Sequence, residues 1–77
     1  VSSYFIKTRS ELARRIKTRR LQLGWSQEEL ADRAAIDRTC ASQIERSVAN
    51  PSLEVLCRVS VVLEIALEDL LSQTRDK

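Results

Sequence analysis

The side chains that could do chemistry in this sequence are cations and hydrogen-bond donors, not nucleophiles or metal ligands. Histidine is absent, and the two cysteines, Cys40 and Cys57, stand 17 positions apart with no C-x-x-C pair. That removes the usual zinc spacings and most nucleophile–base pairs. A single glycine leaves no glycine-rich phosphate loop, and no pair of inward carboxylates is evident. An enzyme, a cofactor and a metal site are therefore not expected. The informative polar cluster lies in DRTCASQIER, residues 37–46, which supplies Arg38, Thr39, Ser42, Gln43 and Arg46. An arginine can donate two parallel hydrogen bonds to guanine O6 and N7, and a glutamine can pair with adenine N6 and N7.

Charge is distributed unevenly. Residues 7–20 carry Lys7, Arg9, Arg14, Arg15, Lys17, Arg19 and Arg20 against Glu11 alone, although the whole chain is only +2. From residue 47 onward three cations face five carboxylates, so one end is basic and the other acidic. Such polarity suits a protein that offers one face to a polyanion; by charge alone it fits a solvated helix face equally well.

Positioning these groups falls to helices, because strand-like alternation is absent and Gly24 and Pro51 are the sole glycine and proline. Thr8 and Glu11 stand in capping-box spacing ahead of the stripe Leu12, Ile16 and Leu23, with Gly24 as the stop. An earlier start is open, since Tyr4, Phe5 and Ile6 are apolar. Ser26 and Glu29 form a second box before a helix over 27–34, whose inner face is Leu30, Ala31 and Ala34 and against which Trp25 packs as a staple. Asp37 caps a third helix over 38–46, with Ala41 and Ile44 inward. The short link between these two makes a helix-turn-helix candidate spanning about 27–46. Ser52 caps a fourth helix in which Leu53, Leu56, Cys57, Ser60 and Leu63 recur at helical spacing. A last helix over 67–73 carries Leu67, Leu70 and Leu71. The expectation is one all-α domain over 1–77, with five helices, reduced cysteines and Cys57 as a small core residue.

The segments RRLxLGxSQEELA, IDRTxxSxIER and NPSLEVL occur in order and without gaps, inside ARRIKTRRLQLGWSQEELADRAAIDRTCASQIERSVANPSLEVL. Over about residues 10–71 the chain resembles the helix-turn-helix domains of phage repressors, Cro proteins and xenobiotic-response-element regulators. The stretch DRT-x-x-S-x-IER is also similar to restriction–modification controller proteins, which usually carry Tyr at the position of Cys40. The resemblance implies a five-helix lambda-repressor-like fold whose third helix enters a DNA major groove. It places Arg38, Thr39 and Gln43 on bases, with Ser42 on the same polar side. It places Ser26, Gln27, Arg46 and Asn50 on phosphates, Gln27 at the positive end of a helix dipole. Arg20 and Glu45 match a buried structural ion pair. Relatives often have glycine at Ala35, Ser47 and Glu64, and Ile or Val at Ala41.

The resulting expectation is a homodimeric transcriptional regulator on a roughly palindromic site in double-stranded DNA. Val61, Val62 and Ile65 would form the dimer interface, or else fill the core. The alternative is an antitoxin-like protein-interaction module with the same fold, using residues 1–8 and 73–77 as a partner arm. No segment is apolar for long enough to span a bilayer, and no small-molecule ligand is evident, so a cytoplasmic, nucleoid-associated protein is expected.

Overall fold

The computed structural model describes residues 2–72, in which five helices follow in order: α1 (Ser3–Gln22), α2 (Gln27–Ala34), α3 (Arg38–Glu45), α4 (Leu53–Leu63) and α5 (Leu67–Leu71). The described residues contain no strand, and none of their helices is long and apolar enough to cross a membrane. The last helix stops at Leu71, short of the expected residue 73, because Ser72 is already extended as its C-cap; the arm at 73–77 lies outside the described residues.

α1 begins earlier than its capping box predicts. Ser2 is extended and its hydroxyl accepts from the Phe5 N–H at 3.1 Å, so five helical residues already precede Thr8. Glu11, deprived of a capping role, binds Arg14 at 2.7 Å. Ser26 and Ser52 do cap as expected, accepting from the N–H groups of Glu29 and Val55. Asp37 takes the extended backbone of a cap, but its carboxylate makes no capping hydrogen bond.

The first four helices end alike. A residue at positive φ (Gly24, Ala35, Ser47 and Glu64 in turn) closes each one. The following residue's N–H then reaches back five positions: Trp25 to Arg20, Ile36 to Ala31, Val48 to Gln43 and Ile65 to Ser60, all at 2.9–3.1 Å. These are Schellman closures, and the residue after each left-handed position is apolar, as the motif favours.

The core comprises Leu12, Ile16, Leu30, Ala31, Ala34, Ala41, Ile44, Leu56, Val59, Leu63 and Leu70. On α4 the inward stripe is Leu56, Val59 and Leu63, not the expected set. Leu53 stands at the first helical position and is 66% exposed, and Cys57 is exposed because one residue beyond Leu56 turns it about 100° away from the core. Both cysteines are free thiols.

Much of the basic run is consumed by this architecture. Arg15 donates to the carbonyls of Leu70 and Ser72 at the end of α5, and Arg19 Nε donates to Leu63 O at 2.9 Å at the end of α4. Arg58 does the same for α2, donating to Ala35 O at 3.0 Å while binding Glu54 at 2.7 Å. Cations at carbonyl-rich helix C-termini satisfy orphan acceptors and oppose the macrodipole. The run is thus not one polyanion-facing surface.

Candidate nucleic-acid interface

α3 carries polar residues at 38, 39, 42 and 43, and its C-cap is Arg46, a spacing that keeps them on one side while Ala41 and Ile44 are buried on the other. Packing α3 against α2 brings that side next to the N-terminus of α2. Together they form a shallow concavity of about 380 Å³ lined by Ser26, Gln27, Glu28, Arg38, Thr39, Ser42, Gln43 and Arg46. All four expected base contacts are therefore assembled with three of the four expected phosphate contacts. Arg38, Thr39, Gln43 and Arg46 are exposed and Ser42 is half-buried. Asn50 does not line this concavity; it is exposed in the α3–α4 loop, where its Oδ1 accepts from Arg9 at 3.4 Å.

Beneath the concavity lies the ion pair. Arg20 Nε and Nη2 donate to the two oxygens of Glu45 at 2.7 and 3.0 Å, and Arg20 Nη1 donates to Trp25 O at 2.7 Å. The two side chains are 9% and 2% exposed. The hydrogen bond to Glu45, reinforced by its charge, outweighs burial and holds the Arg20 pKa above the ordinary arginine value. Gln27 Nε2 donates to the same carboxylate at 3.1 Å. A side-chain amide has two N–H donors and an acceptor oxygen, so one bond to Glu45 orients Gln27 without exhausting it. The pair therefore fixes the start of α2 relative to the end of α3.

Glu28 in the concavity was not anticipated from the sequence. Its position in the first turn of α2 is a signal that acids favour helix N-termini, but nothing in the spacing shows which way it faces. A carboxylate there opposes phosphate and can accept from a cytosine amine.

The expected dimer residues do not share one environment. Val61 is 73% exposed, whereas Val62 and Ile65 are half-buried against the core. Val61 and Val62 line an apolar groove with Ala34, Ala35 and Cys57.

Residues 16–70, which contain nearly all of this assembly, match the family model described as Helix-turn-helix. The chain belongs to the helix-turn-helix family. Among curated relatives, it is 36% identical over 66 residues to the HTH-type transcriptional regulator SinR of Bacillus subtilis (strain 168), covering 84% of this chain and 60% of that protein. Of solved structures, it is similar to the hypothetical transcription factor NHTF from Neisseria, with a TM-score of 0.83 and 36% identity over 87% of this chain and 75% of that one. It is also similar to the master regulator for biofilm formation SinR in complex with DNA, with a TM-score of 0.75 and 39% identity over 79% and 98% of the two chains. This helix-turn-helix chain spans about three fifths of the length of the curated relatives it matches. SinR is an HTH-type transcriptional regulator whose structure has been solved in complex with DNA.

Proposed function

We propose that the chain is a sequence-specific DNA-binding transcriptional regulator that acts as a homodimer on a roughly palindromic operator. The observation that carries this reading is the single exposed face formed by Arg38, Thr39, Ser42, Gln43 and Arg46 beside the start of α2, over a buried ion pair that fixes the two helices. In this reading α3 lies in the major groove. Arg38, Thr39, Ser42 and Gln43 contact base edges, and Ser26, Gln27, Arg46 and Asn50 contact phosphates. The Ser26 hydroxyl is engaged as the α2 cap, and a phosphate there meets the N–H groups of the first turn as well.

The dimensions of one copy support the dimer. The described residues measure 32 × 27 × 18 Å with one α3, whereas successive major-groove half-sites lie about 34 Å apart. Reading both requires a second copy, and Val61, exposed beside Val62 and Ile65, supplies a contact for it. Such a regulator works in the cytoplasm on the nucleoid, without a metal or cofactor.

Selection of bound sequences from random duplex DNA tests the whole reading. A palindromic consensus with half-sites one turn apart supports it. Enrichment of a single unpaired half-site removes the dimer, and no enrichment removes the function.

A further inference from the structure

Arg9 lies in the part of α1 that precedes the core, whose first buried residue on this helix is Leu12. Its guanidinium crosses to the α3–α4 loop, 41 positions away in sequence, and Nη1 donates to Asn50 Oδ1 at 3.4 Å. Phe5, one turn earlier on α1, lies beneath it with the ring centroid 5.1 Å from Cζ. Stacking on an aromatic face restrains a long side chain that would otherwise sacrifice rotamer freedom to reach a loop. Arg9 Nε is buried and makes no hydrogen bond, so the side chain's bonding is directed through its terminal nitrogens.

The chemistry of the pair fixes the orientation of Asn50. A guanidinium is donor only, so it must meet the amide oxygen, which leaves the amide NH2 uncommitted to Arg9 and available to another acceptor. A phosphate oxygen is acceptor only. The same asparagine with its oxygen outward would repel a phosphate, whereas with its NH2 outward it donates to one.

We propose that Arg9 is a positioning residue for the DNA backbone, holding Asn50 with its amide donors outward and adding a cationic charge beside the same phosphate. The proposal rests on the reading of Asn50 as a phosphate contact. It gives the first turns of α1, which add nothing to the core before Leu12, a part in the interface. The charge of Arg9 is used at the interface, in contrast to those of Arg15, Arg19 and Arg20.

The test compares Asn50→Ala, Arg9→Ala, the double variant and Arg9→Lys in the full chain. Affinity is measured on the selected duplex and on a mixed-sequence duplex across a salt series, with a thermal melt of each variant. Arg9→Ala should weaken binding about tenfold on both duplexes and make the log–log salt slope shallower by about 0.9. Arg9→Lys should keep the slope. The double variant should lose clearly less than the product of the two single losses, because both act on one phosphate. If Arg9→Ala lowers the melting point, Arg9→Gln carries the comparison: it retains a donor for Asn50 without charge, and should shift the slope by the same amount. An unchanged slope, or single losses that multiply in the double variant, overturns the role of Arg9 while leaving Asn50 as a contact. If Asn50→Ala binds like the parent while Arg38→Ala loses operator preference, the reading of Asn50 itself fails and the role of Arg9 falls with it.

Discussion

Arg20 and Arg38 carry the same group in opposite circumstances. Arg20 is buried and all of its directed bonds go to Glu45 and Trp25, whereas Arg38 is exposed at the start of α3. Arg20→Ala leaves a nearly inaccessible carboxylate with Gln27 as its remaining donor, and should destabilise the fold by about 3–5 kcal/mol. Arg38→Ala should change stability by no more than about 0.5 kcal/mol and instead cost about 1–3 kcal/mol of specific binding, with relaxed preference at one base pair per half-site. Thermal melts and competition binding separate the two; a parent-like melt for Arg20→Ala would contradict the structural assignment. The raised Arg20 pKa sets the sign of its pH dependence. Its stabilisation is complete below the ordinary arginine value, declines as pH rises from there through the raised one, and is gone above it. The stability gap between parent and Arg20→Ala should therefore show no loss from the arginine side between about pH 6 and pH 9.

Among elements, the helix ends carry the strain and define the turns. Three of the four Schellman closures place a side chain where glycine is most comfortable, at Ala35, Ser47 and Glu64, with φ of 57°, 60° and 59°. The left-handed conformation costs a non-glycine residue about 1–2 kcal/mol, partly offset by the extra freedom glycine has when unfolded. Ala35→Gly and Glu64→Gly should each raise stability by roughly 1 kcal/mol, read as a higher denaturant midpoint at constant m-value. Glu64→Gly also gives up a 4.0 Å approach to Arg19, but the carboxylate is 82% exposed and such a pair contributes little. A lower midpoint in both variants would show that the turns depend on their side chains.

At the scale of the molecule, charge and association follow from what the fold has already used. Arg15 serves the end of α5, whereas Arg46 is exposed in the concavity. Arg46→Gln should make the salt slope of DNA binding shallower by about 0.9 with an unchanged melt. Arg15→Gln should do the reverse, lowering the melt and leaving the slope alone. A reduced slope for Arg15→Gln would restore the basic run as a polyanion surface. Val61→Glu introduces a carboxylate at a site 73% exposed, so it should spare the monomer. It should shift sedimentation toward monomer; an unaltered dimer would move the interface elsewhere.

The sequence by itself determined the order of the helices and the polar side of α3. Caps, turn residues and the spacing of apolar positions are local, and a helix puts residues such as 38, 39, 42, 43 and 46 on one side whatever surrounds it. The pairing of Arg20 with Glu45 was legible through resemblance, since nothing local links positions 25 apart. Tertiary structure alone decided how each like residue is used. Seven cations between positions 7 and 20 look equivalent in a list, yet α4 and α5 end beside Arg19 and Arg15 and claim them. The same holds for Cys57, Val59 and Glu28, all on helices at permissible spacing. Which of them is covered depends on the angle at which a neighbouring helix packs, and helical periodicity leaves that angle undetermined.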